Sequence, residues 1–298
     1  MPYRSFLFAP GNHARKVEKV FNCGADAVIL DLEDAVAIAE KKATRSIIVD
    51  ALKNTRSGKG YVRVNGFDTQ FCYDDITEIV GPWLDGIVLP MVERPGQLET
   101  ISWLLSNLEA GAGMKKSTLD LIPIIETGKG IAMLDAIASA KVDGRVRRMA
   151  FGAGDYTNDL NIQWSLGEDE LRDARARMVL QSRAHDLEPP IDTVWIHIKD
   201  ANNFEKSSLN AQQLGFQGKM CIYPPQVDVV NRVFTPSNAD VIFAKKVVAA
   251  FEAAEKLGSS SIQLDGYFID YPIVAKARRT LENMADIQSQ MKSKQLGT

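Results

Sequence analysis

The chain has 298 residues, 45% of them hydrophobic, and a formal net charge of −3. This is ample for a large core and lies within the range of a single α/β barrel. Acids and bases are interspersed and no apolar run reaches a membrane span, which argues against a nucleic-acid surface, a charged disordered tail, a transmembrane helix or a signal peptide.

The predicted elements alternate. A strand over residues 4–9 ends in Pro10-Gly11 and leads to a helical stretch near 13–22. A second strand over 26–31 leads to a helix over 39–53, a third over 61–65 to a helix near 73–80, and a fourth over 86–90 to a helix over 95–109. A fifth over 121–126 precedes a helix near 130–140, and a sixth over 148–152 precedes the longest helix, expected over 168–186. A seventh over 193–198 leads to a helix over 203–213, and an eighth over 219–223 to a helix over 225–233. Eight such pairs imply βαβ units, a parallel sheet and a closed (β/α)8 TIM barrel.

No Gly-x-Gly-x-x-Gly follows the first strand, which argues against a dinucleotide fold. Beyond the barrel, an amphipathic helix over 238–257, a break at 258–261, a short apolar turn at 266–272 and a helix over 273–291 with frayed polar residues after it make a C-terminal extension. The expected organisation is thus a catalytic barrel over 1–236 and a helical extension with a lid segment over 237–298.

Barrel active sites lie where strands end, so polar residues there are the candidates. Glu126 closes the fifth apolar run and Asp155 follows the sixth. A carboxylate in an apolar setting needs a cation or donors. The plainer reading makes the two acids helix N-caps or salt-bridge partners. As a pair at successive strand ends, without histidine or cysteine beside them, they point to a hard, oxygen-loving cation, Mg²⁺, rather than zinc.

Arg63 sits in the apolar strand Val62-Arg63-Val64-Asn65. Its planar fork suits a carboxylate, either a substrate's or that of Glu33 or Asp34. Asp31, Glu33 and Asp34 are too close to ionise together in a dry pocket without bases. Arg4, Lys41, Arg45 and Arg63 are the counter-charges on offer. Asp31 is expected to be structural, with Glu33 and Asp34 nearer the pocket. Cys23, Cys72 and Cys221 lack metal-type spacing and read as reduced thiols of a cytoplasmic protein.

These segments resemble the citrate lyase β-subunit-like branch of the HpcH/HpaI aldolase superfamily, which includes malyl-CoA and citramalyl-CoA lyases. The resemblance rests on Arg4-Ser5-Phe6-Leu7-Phe8-Ala9-Pro10-Gly11, Asp31-Leu32-Glu33-Asp34-Ala35-Val36, Val62-Arg63-Val64-Asn65, Ile125-Glu126-Thr127, Phe151-Gly152-Ala153-Gly154-Asp155 and Gly215-Phe216-Gln217-Gly218-Lys219. It implies Mg²⁺ held by Glu126 and Asp155, a substrate carboxylate on Arg63, a CoA thioester with a small 2-oxo acid, and homotrimers or hexamers. It also implies that Asp270, in the lid, reaches a neighbouring subunit's site, although by itself Asp270 reads as a helix cap. Arg4, Asp34, Arg63 and Gly154 are expected to bind substrate, and Glu33, Arg63 and Asp270 to act in catalysis.

Two departures stand out. Tyr223 occupies a position where many relatives carry histidine, and Gly154 replaces a glutamate common before the metal-binding aspartate. The implied chemistry is cleavage or formation of a β-hydroxyacyl-CoA. A thioester hydrolase and a subunit acting on an acyl carrier protein are the alternatives. The group that deprotonates the substrate hydroxyl is open between a metal-bound water and a carboxylate near Glu33.

Overall fold

Side chains alternate across a β-strand, so a two-residue step keeps to one face. In the computed structural model, which describes residues 3–54 and 56–296, that alternation separates the inside of a barrel from its outside. Eight parallel strands close it: β1 Ser5–Pro10, β2 Ala27–Asp31, β3 Lys59–Arg63, β4 Gly86–Leu89, β5 Asp120–Ile125, β6 Ala150–Phe151, β7 Ile191–Asp192 and β8 Gly218–Cys221. β8 returns to β1 with Lys219 opposite Ser5. Phe6, Ile29, Tyr61, Ile124, Ala150 and Met220 fill the interior as one apolar cluster. Two residues further along their strands lie Phe8, Asp31, Arg63, Glu126, Gly152 and Ile222. The strand period therefore delivers the candidate site residues to the rim beyond the strands' C-terminal ends.

Helices cover the outside through apolar stripes. In the 17-residue helix Pro95–Gly111, Leu98, Ile101 and Leu105 recur at helical spacing and are buried. Burying each such side chain contributes about 1.5–3 kcal/mol. Proline stands at the start of this helix, where its missing N–H is no loss, and Gln97 Oε1 accepts from the backbone of Arg94.

A buried charge network stands behind β7 and β8. Lys219 Nζ and Arg175 both donate to Asp192, and Arg175 also pairs with Glu168. Glu168 accepts further bonds from Trp164 and Ser207. Its backbone is left-handed, at φ 57°. The helix expected to start at Glu168 therefore starts at Arg172, after one 3-10 turn, and runs only Arg172–Ala184. At 13 residues it is shorter than Pro95–Gly111.

Other expectations are corrected as well. The seventh strand is Ile191–Asp192, earlier than expected. Its place is set by pairing with Ala150 and Gly218, after which the chain leaves the sheet. The alternating Val194-Trp195-Ile196-His197-Ile198 that resembled a strand is a loop, in which the Trp195 indole donates to the His197 carbonyl. The helix expected after the fifth strand is two short ones, Gly128–Ala132 and Leu134–Ala138.

The chain divides between Val233 and Phe234 into two compact units. The second holds helix Asn238–Glu255, the hairpin β9 Ile262–Leu264 and β10 Tyr267–Ile269, and helix Tyr271–Leu296. Ser237 and Asp240 form a capping box at its first helix. Val247, Phe251, Ile269 and Val274 belong to its own apolar core. The apolar turn expected at 266–272 is in fact the return strand of the hairpin and the start of the last helix. Asp265 and Gly266, at φ 49° and 85°, supply its turn. The last helix continues past residue 291, where fraying was expected, and residues 297 and 298 lie outside the described ones.

Candidate active site

A cavity of about 490 Å³ opens at the rim. Asp31, Asp34, Arg63, Glu126, Gly154 and Asp155 all line it, each carried there by the end of its strand or by the residues just beyond.

Glu126 is buried, 3% exposed. Its Oε1 accepts from the backbone N–H of Met91 at 2.8 Å. Its Oε2 faces Gly152, where a Cβ would come within 2.3 Å of it, so only glycine fits there. Burial raises the Glu126 carboxyl well above the usual carboxylate range, and nearby Glu33 and Asp155 add to that against Arg63.

The plainer reading of the acidic pair does not hold. The helix after Glu126 is capped by Thr127, whose Oγ1 accepts from Gly130 N. The helix carrying Asp155 has Gly152 at its N-cap, with no side-chain cap. Among the described residues neither acid has an ion-pair partner, and the side chain of Asp155 makes no hydrogen bond.

Arg63 is held by protein acids. Its Nε and Nη2 donate to the two oxygens of Asp31 at 2.7 Å each. Its Nη1 lies 3.0 Å from Glu33 and 3.3 Å from the exposed Asp34. The guanidinium also stacks over Phe8 at 5.1 Å. Asp31 accepts in addition from the backbone N–H groups of Glu33 and Ala35 and is fully engaged in architecture. Burial, together with Asp34, Asp31 and Asp155, outweighs Arg63 at Glu33 and pushes its carboxyl up to about 8.

The other expected counter-charges lie elsewhere. Arg4 was expected to bind substrate. It stands just before β1, at the opposite end of the barrel, buried with Asp26 through Nε at 2.8 Å and Nη2 at 2.9 Å. Parallel strands put every strand start at that end, so Arg4 does not reach the cavity. Lys41 donates to the carbonyls of Leu32 and Glu33, and Arg45 pairs with Asp75 and Glu78. At Gly154 a Cβ would touch only the Trp164 ring, at 4.0 Å, so its bare backbone leaves the cavity open beside Asp155.

Asp270 belongs to the second unit. There its Oδ1 accepts from Ile273 N at 3.3 Å, at the start of helix Tyr271–Leu296. Tyr223 faces a different cavity, of about 390 Å³, with Trp195 and Phe204. The apolar wall of the main cavity, Phe8, Ile124, Val194, Met220 and Ile222, escaped the sequence reading. Counting back and forward in twos from Glu126 identifies Ile124. Phe8, Met220 and Ile222 need the register of their own strands.

Two carboxylates, one buried and one open, suit a hard divalent ion that completes its shell with water and substrate oxygens. No three His, Cys, Asp or Glu side chains among the described residues are grouped so as to hold a metal ion between them.

The closed barrel with this acid-rimmed cavity defines the chain as an α/β-barrel enzyme. A family model for the HpcH/HpaI aldolase/citrate lyase family matches residues 4–224, and the chain belongs to that family and is a lyase. It is 33% identical over 281 residues to the citrate lyase subunit beta of Leuconostoc mesenteroides subsp. cremoris, across 94% of this chain and 92% of that one. It is equally 33% identical over 282 residues to a (3S)-malyl-CoA thioesterase of Cereibacter sphaeroides, across 94% of each. A solved structure of protein CitE from Mycobacterium tuberculosis, in complex with magnesium, acetoacetate and coenzyme A, superposes with a TM-score of 0.77. The two share 26% identity over 95% of this chain and 98% of that one.

Proposed function

We propose that this chain is a Mg²⁺-dependent carbon–carbon lyase that cleaves, or in reverse forms, a β-hydroxyacyl-CoA thioester such as malyl-CoA or citramalyl-CoA. The products are an acyl-CoA and a 2-oxo acid. The observation that carries the reading is the convergence of Glu126 and Asp155 on one cavity without cationic partners. The magnesium and coenzyme A in the CitE complex and the malyl-CoA of the thioesterase's name support it.

In this reading Glu126 and Asp155 hold Mg²⁺, which supplies Lewis-acid stabilisation of negative charge on substrate oxygen. Arg63 binds the substrate carboxylate through Nη1, the edge shared by Glu33 and the exposed Asp34, while Asp31 fixes the other edge. Gly154 leaves room for the substrate beside the acids. Glu33, beside Arg63 Nη1, is in its ionised form the carboxylate that takes the proton of the substrate hydroxyl. The bond between the carbinol carbon and the thioester's α-carbon breaks, and its electron pair stays on the α-carbon. Asp270 of a neighbouring subunit returns a proton there, which makes a homotrimer or hexamer part of the reading. Three free thiols accord with a cytoplasmic setting.

The likeness to a thioesterase favours a second reading, in which water intercepts the acyl group on the same scaffold. Incubation with Mg²⁺ and a panel of thioesters, with mass-spectrometric product identification, tests both. A 2-oxo acid with acyl-CoA is the expected product pair. Free CoA without a 2-oxo acid would select hydrolysis. Turnover only on a carrier-protein thioester would select a citrate-lyase-type subunit.

A further inference from the structure

The cavity's lining is of two kinds. Asp31, Asp34, Glu126 and Asp155 supply acids, and Phe8, Ile124, Val194, Met220 and Ile222 supply an apolar wall. Resting on the lyase reading above, we infer that the 2-oxo acid handled here is a monocarboxylate whose oxo carbon carries hydrogen or a small apolar group, and that this wall rejects a second carboxylate.

The thioesters in question share one carboxylate beside the carbinol carbon. They differ in the remaining substituent, which becomes the hydrogen of glyoxylate, the methyl of pyruvate or the carboxymethyl of oxaloacetate. Only the last brings another negative charge. Among the described residues, the cations that line the cavity are Arg63 and Lys16. Arg63 already faces three carboxylates, so its field is largely spent before substrate arrives. Lys16 is exposed on helix Ala14–Val20, where water screens its charge. With a divalent ion present, the charges of the ion, Arg63 and Lys16 together only equal those of the four lining acids, before Glu33 beside Arg63 is counted. A first substrate carboxylate shares that field, and a second finds no surplus.

The wall offers little in compensation. The N–H of Ile222 is taken by Gln226 Oε1 at 3.0 Å. Thr193, beside Val194, accepts from Ala153 N at 2.9 Å and keeps a single O–H to donate. A carboxylate, which takes several donors in water, would be left largely unpaired against this hydrocarbon surface, whereas hydrogen or methyl loses nothing polar. A site that leaves an added charge unpaired discriminates far more strongly than one that must sense a methylene.

Calorimetric titration of the Mg²⁺-loaded full chain with glyoxylate, pyruvate and freshly prepared oxaloacetate tests this without relying on turnover. Glyoxylate or pyruvate is expected to bind at least tenfold more tightly than oxaloacetate. Ile222→Arg places a cation at a rim position that is 41% exposed and tolerant of charge. It is expected to shift the ratio at least tenfold toward oxaloacetate, with Ile222→Lys as the alternative if the arginine variant does not fold. Oxaloacetate binding as tightly as the monocarboxylates, or a ratio unmoved in a folded variant, overturns the inference and leaves the lyase reading standing. Failure of all three acids to bind in the presence of Mg²⁺ removes the lyase reading, and this inference with it.

Discussion

The backbone N–H of Met91 points at Oε1 of Glu126 across 2.8 Å, from a residue in the left-handed region at φ 54°. Such a conformation costs a side-chain-bearing residue about 1 kcal/mol or more. The loop after β4 thus supplies one donor to a buried carboxylate whose other oxygen has no donor among the described residues. Glu126→Gln keeps an acceptor for Met91 and removes the charge. Mg²⁺ affinity is expected to fall by about 100-fold or more, while the melting temperature of the metal-free protein holds or rises. Calorimetry and thermal unfolding check the two halves independently. Unchanged Mg²⁺ affinity would take Glu126 out of the metal site.

Gly152→Ala tests the same carboxylate from the other side. The new Cβ would meet Glu126 Oε2 at 2.3 Å, and Ile124 Cγ2 at 2.9 Å, so the acid must move. A drop of about tenfold or more in Mg²⁺ affinity is expected, in keeping with shifts of a ligand's supporting groups. Gly154→Ala has open space and serves as the control, with metal affinity near wild type.

Acidity should stabilise the metal-free protein. Glu33 gives up its proton near 4.5 when unfolded and near 8 when folded. Between those values the folded state binds more protons, so stability falls as pH rises from about 4.5 to about 8. Glu126 is shifted in the same direction, while Asp192 and Glu109 are held low and act below this window. Chemical unfolding in chelator at pH 5.5 and 8 should show the higher stability at 5.5, and Glu33→Gln should flatten the slope. A slope of opposite sign would contradict the burial of Glu33.

At the far end of the barrel, Arg4→Met leaves Asp26 without its bidentate partner. The expected loss is about 3–5 kcal/mol of folding stability, measured in urea, with Mg²⁺ affinity unchanged. A selective loss of substrate binding at full stability would return Arg4 to the active site.

Asp270→Asn keeps an oxygen to accept from Ile273 N and abolishes the acid. Helix stability should change by less than about 1 kcal/mol and turnover should fall by about 100-fold or more. Near-normal turnover would leave Asp270 with capping alone.

The site's skeleton was legible because a strand's period is two. Asp31, Arg63 and Glu126 each end an apolar run in phase with core residues, and that phase is written in the order of amino acids. Less legible was β7, whose two paired residues are fixed by its neighbours, while the loop behind it mimics a strand by alternating isoleucines. The hairpin's signal is the Asp265-Gly266 pair between Ile262-Gln263-Leu264 and Tyr267-Phe268-Ile269. Arg4 was misplaced because its charge was weighed without its position at a strand's start. The wall residues Val194, Met220 and Ile222 are ordinary apolar letters, and only the closure of the barrel turns them toward one another.

The charges shared by Lys219, Asp192, Arg175 and Glu168 bear on how the barrel breathes. β7 has only three register partners, fewer hydrogen-bonded steps than the strands of the first half. A seam so short would be the natural place for the cylinder to unzip, yet parting it would strand four ions in hydrocarbon. Side chains thus clasp what the backbone barely stitches, and slow amide exchange should persist there despite the sparse ladder.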